Sequence, residues 1–405
     1  MIAQRLAPRS APEVGDALRQ CAQSGEAVRV EGGDTLRAMG YEPDRATIPL
    51  SMTKVHGIVA HEYHDLTCAV RAGTRLAAFD AELAERGQFV PLDAPLRAKA
   101  TVGGTLAAGW LSPRRHLYGR ARDAVIGTQT VLADGTLVHA GGMVVKNVTG
   151  YDMSKLYVGS FGTLGVLVQA NFKTLPLPAV RRVLLAPLPE GTRDRAAAQL
   201  WALPVAPAAA ICVEGFRKAI DGSDGIDGRA FVLLEGSQSL VDRATREIRS
   251  ALGRAGVPET AIVDTGAGAS FERVLDACIE GLGERSLSFR VLGDPATVVS
   301  RAVSARDAAH RCELFTDLLF DVMNGDVFLR VSDRDARTFD AKAEAFDDAL
   351  TALEPRRAIV GGNARIRTAL DPWGDPPQAI ERMRALKAGF DPLRVLNPGR
   401  FVGRI

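Results

Sequence analysis

The chain has 405 residues, 46% of them hydrophobic and 24% charged, the composition of an ordinary globular protein and not of a disordered or fibrous one. A single core rarely grows past about 250–300 residues, so two or three compact domains are expected. Lys+Arg 50 against Asp+Glu 48 leaves a net charge of +2 with no long run of one sign, which gives no reason to expect nucleic acid or an anionic membrane as partner.

Taken in chain order, Val14, Ala17, Leu18, Cys21 and Ala22 have the spacing of an amphipathic helix over 12–24. A short β run, AVRVE, follows and breaks at Gly32-Gly33. Leu66, Cys68 and Val70 alternate as a strand that stops at Gly73, and TRLAAFDAELAER predicts a helix ended by Gly87. A glycine-rich loop at 100–110 precedes AVIGTQTVLADGTLVHAGG, where Asp134-Gly135 signals a hairpin turn. Pro176 and Pro178 mark a change of character. Beyond them VRRVLLAPL, AAICVEGF and RAFVLLEG predict strands, with helices over TRDRAAAQLWAL and LVDRATREIRSALGRAG, the second ended by Gly256. This pattern predicts an α+β second domain with an antiparallel sheet. DGSDGIDG (221–228) predicts an exposed hairpin tip, and the last helix, MRALKAG, is expected to close at Gly389.

Cys21, Cys68, Cys212, Cys278 and Cys312 are scattered, odd in number and never form CxxC. No disulfide framework, zinc site or iron–sulfur cluster held by this chain is expected; five small core residues in a reducing compartment are. The N-terminal stretch lacks an apolar signal core, and no apolar run reaches about 18 residues, so a cytoplasmic protein without a transmembrane helix is expected.

Nucleotide motifs compete here with plain turns. No GxxxxGK[ST] occurs. The nearest match to GxGxxG has Gly266 and Gly268 but Phe271 at the third position, a loop before a helix. Three further glycine clusters, EGGDT, ATVGGTLAAG and GSFGTLGVL, stand at element ends in the first half. They suit either tight turns or one long ligand touched at several points, such as a dinucleotide with its diphosphate on backbone N–H groups. His56, His61 and His64 lie near two strand signals without HExxH or a companion carboxylate cluster, so they are expected as loop histidines and no metal site is predicted. No GxSxG occurs. Lys146, Tyr151, Asp152 and Lys155 suit either catalysis or Asp/Lys pairing and Tyr packing around a cofactor; the second is expected, and no catalytic residue is assigned.

The ordered set EGGDT, PLDAP…ATVGGTLAAG, YGRARDAVIGTQTVLADGTLV, KNVTGYDMSKLYVGSFGTLGVL and FDPLRVLNPGRF resembles the vanillyl-alcohol-oxidase-type flavoproteins with a PCMH-type FAD-binding domain. Within that family it is most similar to the FAD-binding E-type subunits of bacterial glycolate oxidases. The likeness is dense over 10–178 and 372–402. It implies a PCMH-type domain of two α+β subdomains over 1–178, an α+β cap over 179–371 and a segment, 372–405, returning to the FAD domain. Gly32, Gly33, Asp34 and Thr35 match the pyrophosphate loop. Pro91, Ala94, Thr101, Gly103, Gly104 and Gly109 match the second flavin-contacting segment, and Arg122 and Asp123 the YGxxRD element. Lys146, Thr149, Gly150 and Asp152 match the loop before GTLG, Gly162, Gly165 and Val166 the adenine-side strand entry, and Asn397 the terminal motif.

Two departures qualify what the resemblance implies. EGGDTLRAMG carries neither the His nor the Cys that many larger relatives use to link FAD, so noncovalent FAD is expected. The HxGDGNxH-like metal and substrate motif of D-type catalytic subunits has no counterpart, the nearest glycine-bearing cap stretch being VGGNARIRT with Asn363. The resemblance therefore implies an FAD-binding subunit of a glycolate-oxidase-like 2-hydroxyacid dehydrogenase, passing electrons from flavin to an iron–sulfur subunit beside a D-type flavoprotein. Membrane association would come only through those partners. The alternatives are a self-sufficient FAD oxidoreductase for D-lactate or another hydroxy acid, with Arg365 or Arg367 holding a carboxylate, and a non-catalytic adaptor.

Overall fold

The computed structural model describes residues 5–143, 151–189, 191–220, 228–266, 269–280 and 283–405. Lys146, Thr149, Gly150, Gly268 and the expected hairpin tip at 221–227 lie outside them. The chain divides into two compact units. The first comprises Met1–Ser112, Gly119–Leu177 and Pro376–Ile405, and the second Pro113–Tyr118 and Pro178–Asp375.

In the first unit, helix Ala11–Ser24 starts because Ser10 Oγ accepts the Glu13 N–H, and it stops at Gly25, whose φ of 71° carries the chain out of the helix. Its buried face, Val14, Leu18 and Cys21, packs on Val28, Leu50, Val131, Val166, Val168 and Leu396. Full burial of a Leu such as Leu18 or Leu50 stabilises by roughly 1.5–3 kcal/mol. Ala27–Glu31 and Thr47–Ser51 pair in parallel, and Val28 also bridges Leu396 of the C-terminal stretch. A five-stranded antiparallel sheet runs in the order Ile58–Glu62, Thr67–Arg71, Val166–Lys173, Val125–Val131, Leu137–Gly141. Its Asp134-Gly135 turn is the one the sequence predicts, with Gly135 at φ 82°.

The second unit is built on an eight-stranded antiparallel sheet. Its order is Val263–Asp264, Val180–Pro187, Gly228–Gly236, Ala209–Glu214, Phe315–Asp321, Val327–Ser332, Ser286–Val291, Arg357–Gly362. Helices Arg193–Trp201, Gln238–Arg254, Val298–Arg311 and Ala336–Leu353 contribute Leu200, Ile248, Ala305 and Phe346 to one core with Val232, Phe289 and Leu329 of the sheet. The α+β class is as expected.

One predicted boundary fails. The last helix runs Ile380–Phe390, through Gly389, and ends at Asp391. Gly389 keeps helical geometry because the stop comes from a side chain. The buried Asp391 carboxylate accepts the N–H groups of Val395 and Leu396 at 2.8 Å each, turning the chain without a left-handed glycine.

Candidate functional site

Strand Ala27–Glu31 delivers the chain into Gly32-Gly33-Asp34-Thr35. This turn lies against Lys99–Thr101 and helix Val102–Ala108, which begins where Thr101 Oγ1 accepts the Gly104 N–H at 3.2 Å. The approach is too close for side chains. A Cβ on Gly33 would lie 1.8 Å from the Lys99 carbonyl oxygen, and one on Gly32 would lie 2.2 Å from Thr101 Oγ1. Two cavities of about 100 Å³ and about 70 Å³ share walls here. Both are lined by Val30, Gly32, Thr101, Gly104, Ala107, Phe161 and Asn397; the first adds Gly33, Asp34, Thr35, Arg37 and Arg400, the second Gly103, Gly162, Gly165 and Val166.

The backbone N–H groups of Gly32, Gly33, Asp34 and Thr35 have no acceptor among the described residues. Backbone donors in a turn that lines a cavity suit a phosphate-bearing anion. The C-terminal stretch closes the site. Asn397 accepts from the Val30 N–H at 2.8 Å and donates to the Phe161 carbonyl at 2.6 Å. Buried Lys387 donates to Thr163 O at 2.8 Å, Leu396 O at 2.9 Å and Asp391 Oδ2 at 2.6 Å.

Charge at the turn is mixed. Buried Glu31 takes Arg29 Nε at 2.8 Å and Arg5 Nη2 at 3.2 Å, with Arg37 at 3.9 Å. Asp34, half-exposed and left-handed at φ 57°, stands 3.7 Å from Arg37. Partial burial lifts its carboxyl above the ordinary carboxylate value, opposed by Arg37 and reinforced by Glu31.

Eleven of the residues singled out in the sequence meet at these cavities: Gly32, Gly33, Asp34, Thr35, Thr101, Gly103, Gly104, Gly162, Gly165, Val166 and Asn397. Six described ones do not line them. Pro91 is buried in coil, and Ala94 packs against the core that contains Leu92 and Phe79. Gly109 ends helix Val102–Ala108 at φ 62°, where a Cβ would meet Gly159 Cα at 2.8 Å. Asp123 Oδ2 accepts the Arg120 N–H at 2.9 Å, and Arg122 is exposed. Asp152 pairs with Lys155 at 3.2 Å, both well exposed, and Tyr151 is 94% exposed, so neither Tyr packing nor buried catalytic geometry is found there. His61 lies on strand Ile58–Glu62 and bonds Gln88 Oε1 at 2.9 Å. Sequence inspection missed Phe161, Arg37, Arg400 and the Lys387–Asp391 pair; the weak signal available was two opposite charges four apart on a helix before NPG.

Residues 2–153 match the family described as FAD binding domain. The chain has the fold of the PCMH-type FAD-binding domains. It is similar to glycolate oxidase subunit GlcD of Bacillus subtilis, 28% identical over 98% of this chain and 88% of the relative. It is also similar to glycolate oxidase subunit GlcE of Escherichia coli, 35% identical over 47% of this chain and 51% of the relative. The mitochondrial D-2-hydroxyglutarate dehydrogenase of Bos taurus is 26% identical over 97% and 75%. Among solved structures, p-cresol methylhydroxylase with bound substrate shares the fold at a TM-score of 0.70 and 17% identity, over 97% of this chain and 87% of the other. The donor set of the turn fits the diphosphate of FAD.

The cap departs from the D-type motif at a different place from the one expected. Asn363 caps helix Ala364–Ala369, accepting from Arg365 N at 2.8 Å, and Arg365 pairs with Asp340. The hairpin at 321–328, DVMNGDVF, lines up better with the HxGDGNxH spacing. It keeps Gly325, exchanges acid and amide at Asn324 and Asp326, and has Asp321 and Phe328 at the two histidine positions. Asp326 is held by Arg115, at 2.8 and 3.0 Å, and by Arg290. Asp321 closes the turn, accepting from Met323 N, Asn324 N and Asn324 Nδ2; burial and neighbouring Asp326 push its carboxyl up to about 7.

Proposed function

We propose that this FAD-dependent oxidoreductase is the flavin-binding subunit of a glycolate-oxidase-like 2-hydroxyacid dehydrogenase complex, with FAD held noncovalently and an iron–sulfur subunit taking its electrons. The observation that carries the reading is the row of N–H groups at Gly32–Thr35 without an acceptor among the described residues, in a turn that lines one cavity and, through Gly32 and Asn397, adjoins a second lined by Gly162 and Gly165. FAD supplies hydride acceptance from the carbon that bears the hydroxyl. The chain's residues do the holding. Gly32–Thr35 present donors to the diphosphate, Gly103, Gly104 and Gly162 permit close backbone approach, and Asn397 keeps the strand end and the 160–165 loop at fixed spacing. No His or Cys is among the described residues lining the cavities, which supports noncovalent binding.

Oxidising a hydroxy acid also requires a base for the hydroxyl proton. Asp321 and Phe328 at the histidine positions favour the subunit role over independent catalysis. Burial also pushes the thiols of Cys68 and Cys278 up to about 12, which disfavours thiolate ligation by them and supports a separate iron–sulfur partner. A cytoplasmic location, with membrane contact only through partners, belongs to the same proposal; no described helix is long and apolar enough to cross a membrane.

The nearly full-length similarity to GlcD and to the bovine dehydrogenase favours a second reading, a self-sufficient hydroxy-acid oxidoreductase. Purification from the native source with identification of co-purifying proteins, and turnover of glycolate and D-lactate by the isolated chain with an artificial acceptor, separate the two. Co-purified iron–sulfur protein with an inactive isolated chain supports the subunit reading. Isolated turnover overturns it, and a colourless chain that takes up no flavin defeats both. Flavin that stays oxidised while the complex turns over leaves an adaptor role.

A further inference from the structure

Asp34 carries a negative charge in the wall of the cavity that the proposed diphosphate must approach. Its left-handed backbone and its place between Gly33 and Thr35 put it in the row of N–H groups without an acceptor among the described residues, lining the same cavity. Nearby cations are partly committed. Arg29 and Arg5 hold Glu31, Arg37 is shared between Glu31 and Asp34, and Arg400 donates to the carbonyls of Met39 at 2.8 Å and Arg37 at 3.3 Å. Lys99, on the segment packed against Gly33, is exposed.

We propose that Asp34 makes this FAD site proton-linked: FAD binds with uptake of a proton by the Asp34 carboxylate, and binds loosely while that carboxylate is ionised. The inference rests on FAD occupying the Gly32–Thr35 turn. The donors attract the diphosphate, whereas a unit charge beside them repels it, and Arg37 neutralises Asp34 only at the edge of ion-pair distance. Partial burial already lifts the carboxyl in the free protein. A bound diphosphate lifts it further, because like charge disfavours ionisation. The sign follows by linkage. Affinity is full below the free-state pKa, declines as pH rises through the window between free and bound values, and levels off above it. FAD has no group of its own titrating between about pH 5 and about pH 8, so the slope reports the protein.

The test uses apo full-length chain titrated with FAD, followed by quenching of flavin fluorescence, at several values from about pH 5 to about pH 8. Asp34→Asn and Asp34→Gly are compared with the wild type; both residues tolerate the left-handed backbone, so the fold is kept. Wild-type affinity is expected to fall about tenfold as pH rises through the free and bound values of the Asp34 carboxyl, while both variants bind about tenfold tighter above that window and lose the slope. Calorimetry in two buffers of different ionisation enthalpy should count proton uptake in the wild type and none in the variants. Variants that match the wild type at high pH, or that keep the slope, overturn the proposal. Tightening by Asn alone also overturns it, since that reports an added amide donor and not a removed charge. If no form binds FAD at any pH, the FAD reading fails and takes this inference with it.

Discussion

Asn397 donates its side-chain amide to the Phe161 carbonyl at 2.6 Å while its own amide oxygen accepts the Val30 N–H at 2.8 Å. One buried side chain thereby sets the distance between the end of a parallel strand and the loop that enters the long antiparallel strand. Asn397→Ala leaves both backbone groups unsatisfied, at about 1–3 kcal/mol each. Its φ of 42° adds strain for an alanine. Urea unfolding of the variant should show the loss, with FAD affinity falling in parallel. A variant with the wild-type midpoint would show that the bridge is dispensable.

The ion pair of Lys387 and Asp391 is buried, with Asp391 at 0% exposure. Lys387→Met leaves that carboxylate without its counter-charge and should cost about 3–5 kcal/mol. Adding Asp391→Asn should recover part of the loss. Burial lowers the Lys387 pKa from 10.5 more than Asp391 raises it. The folded state therefore binds fewer protons than the unfolded one in the alkaline window, so wild-type stability gains with rising pH there. Lys387→Met should lack that gain in denaturant titrations at a series of alkaline pH values.

Asp321 gives the opposite slope. Its carboxyl is at about 7 when folded against 3.8 for the free group, so its contribution is fully present below the lower value and is lost as pH rises through the higher one. Between about pH 4 and about pH 7 the second unit should lose about 2–4 kcal/mol. Asp321→Asn, which retains an oxygen for the Met323 and Asn324 N–H groups, should flatten the dependence. Hydrogen exchange of the sheet amides is the measurement, and an unchanged slope in the variant would assign the titration to another group.

Two glycines offer a contrast. Gly33→Ala drives a methyl into the Lys99 carbonyl oxygen, 1.8 Å from the ideal Cβ position, so the turn must move and FAD affinity should fall at least tenfold. Gly389→Ala meets nothing within 4 Å inside a helix and should stabilise by about 0.5–1 kcal/mol. Equal FAD affinity in the Gly33 variant and the wild type would remove the turn from the binding site.

The glycine turns and the NPG segment were legible because steric demand leaves few residue choices, and those survive in sequence as blocks. That Gly32, Thr101, Gly162 and Asn397 converge follows from the same blocks. Five strands of the second unit were not predicted: the two-residue Val263–Asp264, and Ser286–Val291, Phe315–Asp321, Val327–Ser332 and Arg357–Gly362. Arg290, Asp317 and Arg330 sit on them as internal ion pairs, and a charge that finds its partner inside looks, in sequence, like a surface residue. Lys387 was obscure for the same reason. The 321–328 hairpin was passed over because it shares one glycine with the motif and none of its histidines.

Four times along its length the chain crosses between the two units, and the stretch after the fourth crossing, Pro376–Ile405, belongs to the first. During synthesis the nascent FAD-binding unit lacks Lys387, Asp391 and Asn397 until the 198 residues of Pro178–Asp375 have been made. At about 5–20 residues per second that is a wait of roughly 10–40 s with a strand end and a loop unbridged. The cap, apart from its six-residue contribution from Pro113–Tyr118, is contiguous and can close first. A ribosome stopping shortly after Asp375 would release a finished cap tethered to an unfinished cofactor domain.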